Sequence, residues 1–288
     1  MDPVKNALDL AEIRHLCGLL LDHCTLLSCV RVCKTWRESF IGFLYTTIKV
    51  DYRAIHAPTA EQLRKHSHHI RHLELTNAPS SHLQLENLSG LKTLVFRIEK
   101  TCANWTLIRK LVERSKNTSP KVELHLLEVN PDEDVWMDLA NFAKLDVLRL
   151  ERCTISTTHF AELITVSSHL SELHLIHTSL PWAALDAKEL GEKWARLHIL
   201  DIHTPFDDPG ENHDNALLTF VSHCPNLSTL AWLTGQKSTR RRKTELSKAT
   251  AAKLVLEFEN ERWSHLRTLV IDDYLNFTDD EFAILLRS

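Results

Sequence analysis

Seven copies of one short pattern, Leu-x-x-Leu-x-Leu with apolar replacements, limit what this 288-residue chain can fold into. They are Ile70-Leu73-Leu75, Leu91-Leu94-Phe96, Leu145-Leu148-Leu150, Leu170-Leu173-Leu175, Leu197-Leu200-Ile202, Leu227-Leu230-Trp232 and Leu266-Leu269-Ile271. A degraded copy sits at Leu124 and Leu126. Successive starts lie 21, 54, 25, 27, 30 and 39 residues apart, and the 54-residue interval holds two units around the degraded copy. The last two apolar residues of each copy alternate, as in a strand with one buried face. A single strand of this kind cannot bury that face alone. Stacked copies can, if each returns through a crossover, most simply a helix. The expectation is an α/β solenoid of parallel strands bent into an arc. Helical returns are expected at 106–114, 134–143, 157–166, 183–195, 214–223 and 250–261.

Alternation also says what faces away from the buried leucines. The middle positions are Glu74, Val95, Arg149, His174, Asp201, Ala231 and Val270, with His125 from the degraded copy. Flanking positions add His72, Arg97, Val147, Glu151, Glu172, Ile176, Ile199, His203, Thr229 and Leu233. This face is charged at its centre and more apolar in later units. Charge for specificity beside apolar area for burial suits a polypeptide ligand. The candidate target-binding residues are Glu74, His125, Arg149, Glu151, Glu172, His174, Asp201 and His203. Any one of them is more simply a solvated strand residue. The inference belongs to the surface as a whole.

The first 48 residues follow a different period. Leu10, Ile13, Leu16, Cys17, Leu20 and Leu21 form one helical stripe. Asp22 to Thr25 interrupt it, and Thr25 is expected to N-cap a second helix carrying Leu26, Leu27 and Val30. Cys33, Trp36, Phe40, Phe43 and Leu44 make a third stripe. Three helices in so short a segment bury little surface and gain from a partner.

The order of phrases in this segment resembles an F-box. Leu10-Ala11-Glu12-Ile13 matches its opening Leu-Pro-x-Glu-Ile. Leu20-Leu21-Asp22 followed by Leu26-Leu27 matches its helix-break-helix centre. Val30-Arg31-Val32-Cys33-Lys34-Thr35-Trp36-Arg37 matches its closing Val-Cys-x-x-Trp. Ala11 stands where that family usually has proline, which would fix the start of the first helix, so weaker adaptor affinity is expected. The later units resemble leucine-rich repeats of the F-box-linked class. Cys153 holds the asparagine-or-cysteine position, where a side chain can satisfy turn backbone. His223-Cys224-Pro225-Asn226-Leu227 resembles the helix-to-strand junction, and Phe277-Thr278-Asp279-Asp280 the Ile-Thr-Asp phrase.

The resemblance implies a three-helix F-box at 1–48, a connector at 49–61 and a leucine-rich repeat arc at 62–288. That arc would hold about eight repeats, one degraded and the last incomplete, since Ser288 falls inside an expected returning helix. It implies a non-catalytic substrate receptor, which docks on the Skp adaptor, and through it a cullin scaffold, and presents a target for ubiquitination and proteasomal degradation. The implied adaptor-binding residues are Leu10, Ala11, Ile13, Leu16, Leu20, Leu26, Leu27, Val30, Val32 and Trp36. No cofactor or metal is implied. Two alternatives stay open. One is a repeat scaffold with no ligase role. The other is a thiol-dependent ubiquitin ligase, for which Cys102 and Cys153 are the only candidate nucleophiles.

Composition narrows the class. Formal net charge is −4, with 25% charged residues, which gives no global argument for nucleic acid or membrane. No long apolar core follows a basic N-terminus, no apolar run reaches membrane-span length, and seven cysteines read as buried, reduced thiols. The expected compartment is cytoplasm, nucleus or both. Only six glycines are present, without a phosphate loop, a dinucleotide fingerprint or a nucleophile elbow. Arg240-Arg241-Arg242-Lys243, within a basic stretch at 237–248, reads as a solvated loop, a nuclear localisation signal or a phosphate-binding patch. The sets His66, His68, His69, His72 and His23, Cys24, Cys29, Cys33 lack metal-ligand spacing. The acidic loops at 207–214 and 130–134 read as turns.

Overall fold

The structure is a computed structural model. It describes residues 10–51, 58–76, 88, 90–99, 120–128, 145–156, 158–160, 163, 167, 169–178, 194–204, 218–234, 255–256 and 263–271. N-terminal helices are followed by a parallel-sheet α/β solenoid. The chain divides into two compact units, residues 1–96 with 106–120, and residues 97–105 with 121–288. Outside the described residues lie the expected helices at 106–114 and 134–143, most of 183–195, the loops at 130–134, 207–214 and 237–248, Cys102, the 277–280 phrase and the terminal repeat after 271.

The first unit opens with three helices, α1 (Ala11–Leu20), α2 (His23–Cys29) and α3 (Lys34–Thr46). Asp22, not Thr25, caps α2. Its carboxylate accepts from the Thr25 N–H at 2.8 Å, so Thr25 sits inside the helix as the donor. Both residues belong to the expected break; an aspartate three residues ahead of a free N–H satisfies it directly. That bond holds the Asp22 carboxyl below its usual range.

The core of this bundle is Leu26, Cys29, Val30, Phe40 and Leu44, with Cys17, Leu21, Trp36 and Phe43 packed against it. Helix α1 contributes differently from its leucine stripe. Its buried residues are Arg14 and Gly18. Arg14 Nε donates to Ser39 Oγ of α3 at 2.8 Å. A side chain on Gly18 would meet the Phe43 ring at 2.5 Å, so glycine sets how closely α1 approaches α3. With that face turned inward, Leu10, Leu16, Leu19 and Leu20 are exposed, and so is Val32 beyond α2.

The strand β1 (Thr47–Asp51) follows α3 directly. Ile48 and Val50 give it a buried face, although no leucine pattern marks it and it straddles the expected boundary between the 1–48 segment and the connector. Helix α4 (Ala60–His66) begins with a capping box in which Thr59 and Gln62 each satisfy the other's backbone N–H, at 3.2 and 2.9 Å. A 3-10 turn, Ser67–His69, leads to β2 (His72–Thr76), which pairs in parallel with β1. The strand β3 (Thr93–Glu99) starts in this unit, where the Thr93 N–H donates to the Arg71 carbonyl at 3.0 Å.

Rings from three segments of this unit lie against one another where α4 meets α3, with Tyr45, His66 and His69 roughly parallel and His68 tilted on His69. Tyr45 lies 4.1 Å from His66, His66 lies 6.3 Å from His69, and His69 lies 3.9 Å from His68. Burial pushes the His66 pKa down, and the charges of Lys65, His69 and His68 push it further. Burial, then His68 and Arg71, do the same to His69. A depressed histidine pKa means that the fold prefers the neutral ring. The stability it confers is complete above the unfolded pKa and is lost as pH falls through that value toward the folded one. Acidification from about pH 7.5 to about pH 5 is therefore expected to speed amide exchange in α3 and α4. The acceleration should shrink in a His66→Gln, His69→Gln variant. Equal acceleration in both proteins would remove these histidines as the cause.

The second unit contains β4 (Lys121–Leu127), β5 (Leu145–Glu151), β6 (Glu172–Ile176), β7 (Ile199–Thr204), β8 (Thr229–Thr234) and β9 (Thr268–Ile271), all parallel and in chain order. The degraded copy is β4, where Val122 takes the missing leucine's place and Leu124 and Leu126 are buried. From β5 to β9 the register is one to one, so Leu148, Leu173, Leu200, Leu230 and Leu269 align in one column. The next buried column is Leu126, Leu150, Leu175, Ile202 and Trp232. Burying each such side chain contributes about 1.5–3 kcal/mol.

The turns repeat as well. Before four of these strands an N–H bonds the carbonyl three residues earlier, Leu170 to Ser167, Leu197 to Trp194, Leu227 to Cys224 and Leu266 to Trp263. The same turn precedes the first-unit repeats, Ile70 to Ser67 and Leu91 to Leu88. After β4, β5 and β6 the residues Glu128, Arg152 and His177 adopt positive φ of 51°, 53° and 50°. Each donates its N–H to the next strand's end, at Glu151, Ile176 and His203. The following side chain then turns back. Cys153 Sγ donates to the carbonyls of Leu126 and Glu151, and Thr178 Oγ1 to those of Leu150 and Ile176. Helical residues at 158–160, 163, 218–222 and 255–256 fall within the expected returns. Phe160, Trp194 and Phe220 pack edge to face beneath the sheet, with Trp194 in the middle.

Candidate binding faces

In the first unit the residues singled out from sequence separate by burial. Leu26 and Val30 belong to the core, while Ile13, Leu27 and Trp36 are half-buried. Leu10, Ala11, Leu16, Leu20 and Val32 are exposed. Leu16 is 57% exposed and Leu20 87%. Leu19 is exposed too, and the helical period did not point to it because it lies off the counted stripe. Leu16, Leu19 and Leu20 stand at i, i+3 and i+4 on one ten-residue helix and form a contiguous exposed apolar patch. Glu74 lies in this unit, where Lys49 of β1 pairs with it at 2.9 Å.

The other candidates lie on the second unit's open sheet face, where they are half-buried; Val147 and Ile176, read as flanking positions, are buried there. Register places His125, Arg149, His174, Asp201, Ala231 and Val270 in one row across six strands. Glu123, Val147, Glu172, Ile199, Thr229 and Thr268 form the row before it, and Leu127, Glu151, Ile176, His203 and Leu233 the row after. All but Arg149 and Glu151 of the charged residues in these rows have ionic partners. Lys121, which the leucine pattern does not mark, lies 2.9 Å from Glu172 and 3.6 Å from Glu123. His125 lies 3.7 Å from Glu123, and His174 lies 3.7 Å from Glu172. Asp201 is held between His174 at 3.1 Å and His203 at 3.0 Å.

These contacts set the charges. Burial pushes the Asp201 carboxyl up, but the hydrogen bond from His174 and the charges of His203 and His174 outweigh it and hold the carboxyl below its usual range. The nearby His125 ring pulls Glu123 down against burial, with help from Lys121. Burial pulls the Lys121 ammonium down, and Glu172 and Glu123 reverse that to leave it raised. Cross-strand ion pairs therefore hold Lys121, Glu172, His174 and Asp201 in place on this face. Arg149 and Glu151, half-buried and two residues apart on β5, have no ion pair among the described residues. Toward β8 and β9 the rows become small or apolar, ending at the exposed Val270.

No family model matches the chain, and no curated protein does. The chemistry must be read from the faces themselves. Among the described residues no group of three or more His, Cys, Asp or Glu is arranged to hold a metal ion, and no helix is long and apolar enough to cross a membrane. Cys153 is buried with its thiol donating to two carbonyls. Burial pushes the Cys224 thiol up to about 12. Both sulfurs serve the repeat turns.

Proposed function

We propose that this chain is the substrate receptor of a Skp–cullin–F-box ubiquitin ligase, with an F-box at its N-terminus and leucine-rich repeats after it. The observation that carries the reading is the leucine-rich face of α1. A small bundle that turns Arg14 and Gly18 inward and leaves Leu16, Leu19 and Leu20 outside is built to be completed by another protein. Leu10, Leu16, Leu20 and Val32 would contact the Skp adaptor, with Ala11 beside them. Ile13, Leu27 and Trp36 would flank that contact, and Leu26 and Val30 would support it from the core. A target protein would lie on the sheet face of β4 to β7, engaging Arg149 and Glu151 first. The chain would act in cytoplasm, nucleus or both, and its contribution to catalysis would be proximity.

The test is co-purification with the Skp adaptor, comparing the intact chain with a Leu16→Asp, Leu20→Asp variant. Both side chains are exposed, so the variant should keep its circular dichroism while losing adaptor binding by at least tenfold, about 1.4 kcal/mol or more. Equal binding by both proteins would place the adaptor elsewhere. No binding by the intact chain would favour an interaction scaffold that presents the same sheet face without a ligase.

A further inference from the structure

In the first unit α2, the end of α3, β1 and α4 surround an open cleft of about 810 Å³, which α4 reaches at Gln62. Its floor is Leu26, Leu44 and Ile48, which are 6%, 7% and 6% exposed. Its walls are Leu27, Phe43 and Tyr45, all half-buried. Among the described residues that line it none belongs to α1, so the cleft is distinct from the patch of Leu16, Leu19 and Leu20. Of the residues assigned to the adaptor contact it shares only Leu26 and Leu27.

The walls are in place before anything enters. The Tyr45 ring stacks on His66 at 4.1 Å. Phe43 lies 5.1 Å from His15 and directly against Gly18. Burial pushes the Tyr45 phenol up, so this wall stays neutral near neutral pH. The rim is different. Lys49 and His23 stand on it, both exposed, and among the described residues that line the cleft there is no acid. Glu74, which is outside the lining, pairs with the Lys49 ammonium at 2.9 Å. That pairing takes one of the ammonium's donors and leaves the others for a ligand.

We infer that this cleft binds a small amphiphilic anion, whose apolar body lies on Leu26, Leu44 and Ile48 between the aromatic walls and whose single carboxylate head meets Lys49 at the rim. Three observations select that class. The volume is that of a small-molecule site, roughly 300–1,000 Å³. The floor residues are so nearly closed off that a flat protein surface does not reach them, whereas a slender apolar chain does. The one permanent charge on the lining is positive, which favours an anionic head over a cationic one.

The experiment measures binding of decanoate to the full chain by calorimetry near neutral pH, below the concentration at which decanoate aggregates. Decanol and decyltrimethylammonium, with the same tail and different heads, are the comparison probes. Saturable binding of decanoate is expected, at least roughly tenfold tighter than that of either comparison probe. Lys49→Gln should weaken decanoate at least roughly tenfold and leave decanol unchanged. Lys49 is exposed, so this variant should keep its circular dichroism. Leu27→Trp, which fills the cleft from one wall, should weaken both decanoate and decanol. The Leu16→Asp, Leu20→Asp variant should bind decanoate as the parent does, which separates the cleft from the α1 patch. The proposal is overturned by no saturable binding of decanoate, or by decanol or the cation binding as tightly. It is also overturned if folded Lys49→Gln or Leu27→Trp protein binds decanoate as the parent does, or if the α1 change abolishes binding.

Discussion

Replacing Trp194 by alanine is expected to destabilise the second unit by about 3–5 kcal/mol, a large fraction of what a domain has. The indole is 2% exposed, and its ring lies edge to face with Phe160 at 5.9 Å and with Phe220 at 5.0 Å. It therefore joins three successive repeats from below the sheet. Removing it leaves a cavity that the one-to-one strand register above cannot collapse to fill. Trp194→Phe sharpens the test. The indole N–H is buried without a hydrogen-bond partner among the described residues, so phenylalanine removes an unsatisfied donor while keeping most of the packing. Urea denaturation should show a small loss, roughly 1 kcal/mol or less, for phenylalanine. Equal losses for both variants would mean that the indole nitrogen, not the ring stack, is what matters.

The second large effect is expected at Gly18. A valine there must displace the Phe43 ring or the helix, at a cost of about 1–3 kcal/mol in the small first unit. Alanine should be milder, because its better helix propensity returns about 1 kcal/mol against the same contact. The consequence reaches beyond stability. Helix α1 carries Leu16 and Leu20, so pushing it off α3 rotates the apolar face as a body. Gly18→Val should therefore weaken partner binding more than its stability loss predicts. Hydrogen exchange would show the change confined to α1 and α3. A valine variant with unchanged α1 exchange would mean that Phe43 simply swings aside.

These effects could be placed only partly from sequence. The strands were legible because leucine alternation is a direct record of burial, and even the degraded copy at Leu124 and Leu126 formed its strand. Cys153 was legible only through the resemblance of its unit to leucine-rich repeats, which have a turn-satisfying side chain at that position. Its counterpart Thr178 was not, since threonine in a turn is common and nothing in the pattern distinguishes one that bonds back to Leu150. Strand β1 was missed because Ile48 and Val50 are too few to announce a strand without their pairing to β2.

The helical segment misled in an instructive way. Period counting shows that α1 has an apolar stripe, but not which side meets α3. The structure turns the side with the smallest residue inward, and the leucines are left outside. The ionic pattern of the sheet face was also hidden. Which carboxylate finds which histidine depends on cross-strand register, and Lys121 enters only because β4 brings it beside Glu172 of β6. Charge placement was readable in sequence; charge pairing was not.

The strict register from β5 to β9 coexists with unit lengths of 25, 27, 30 and 39 residues. All the length variation is therefore taken up away from the strands. The exposed rows behave like columns of type in a frame: a letter can be exchanged, or spacer added behind it, without moving its neighbours. Over evolutionary time such a surface can change its chemistry by single substitutions while the frame that holds it stays intact.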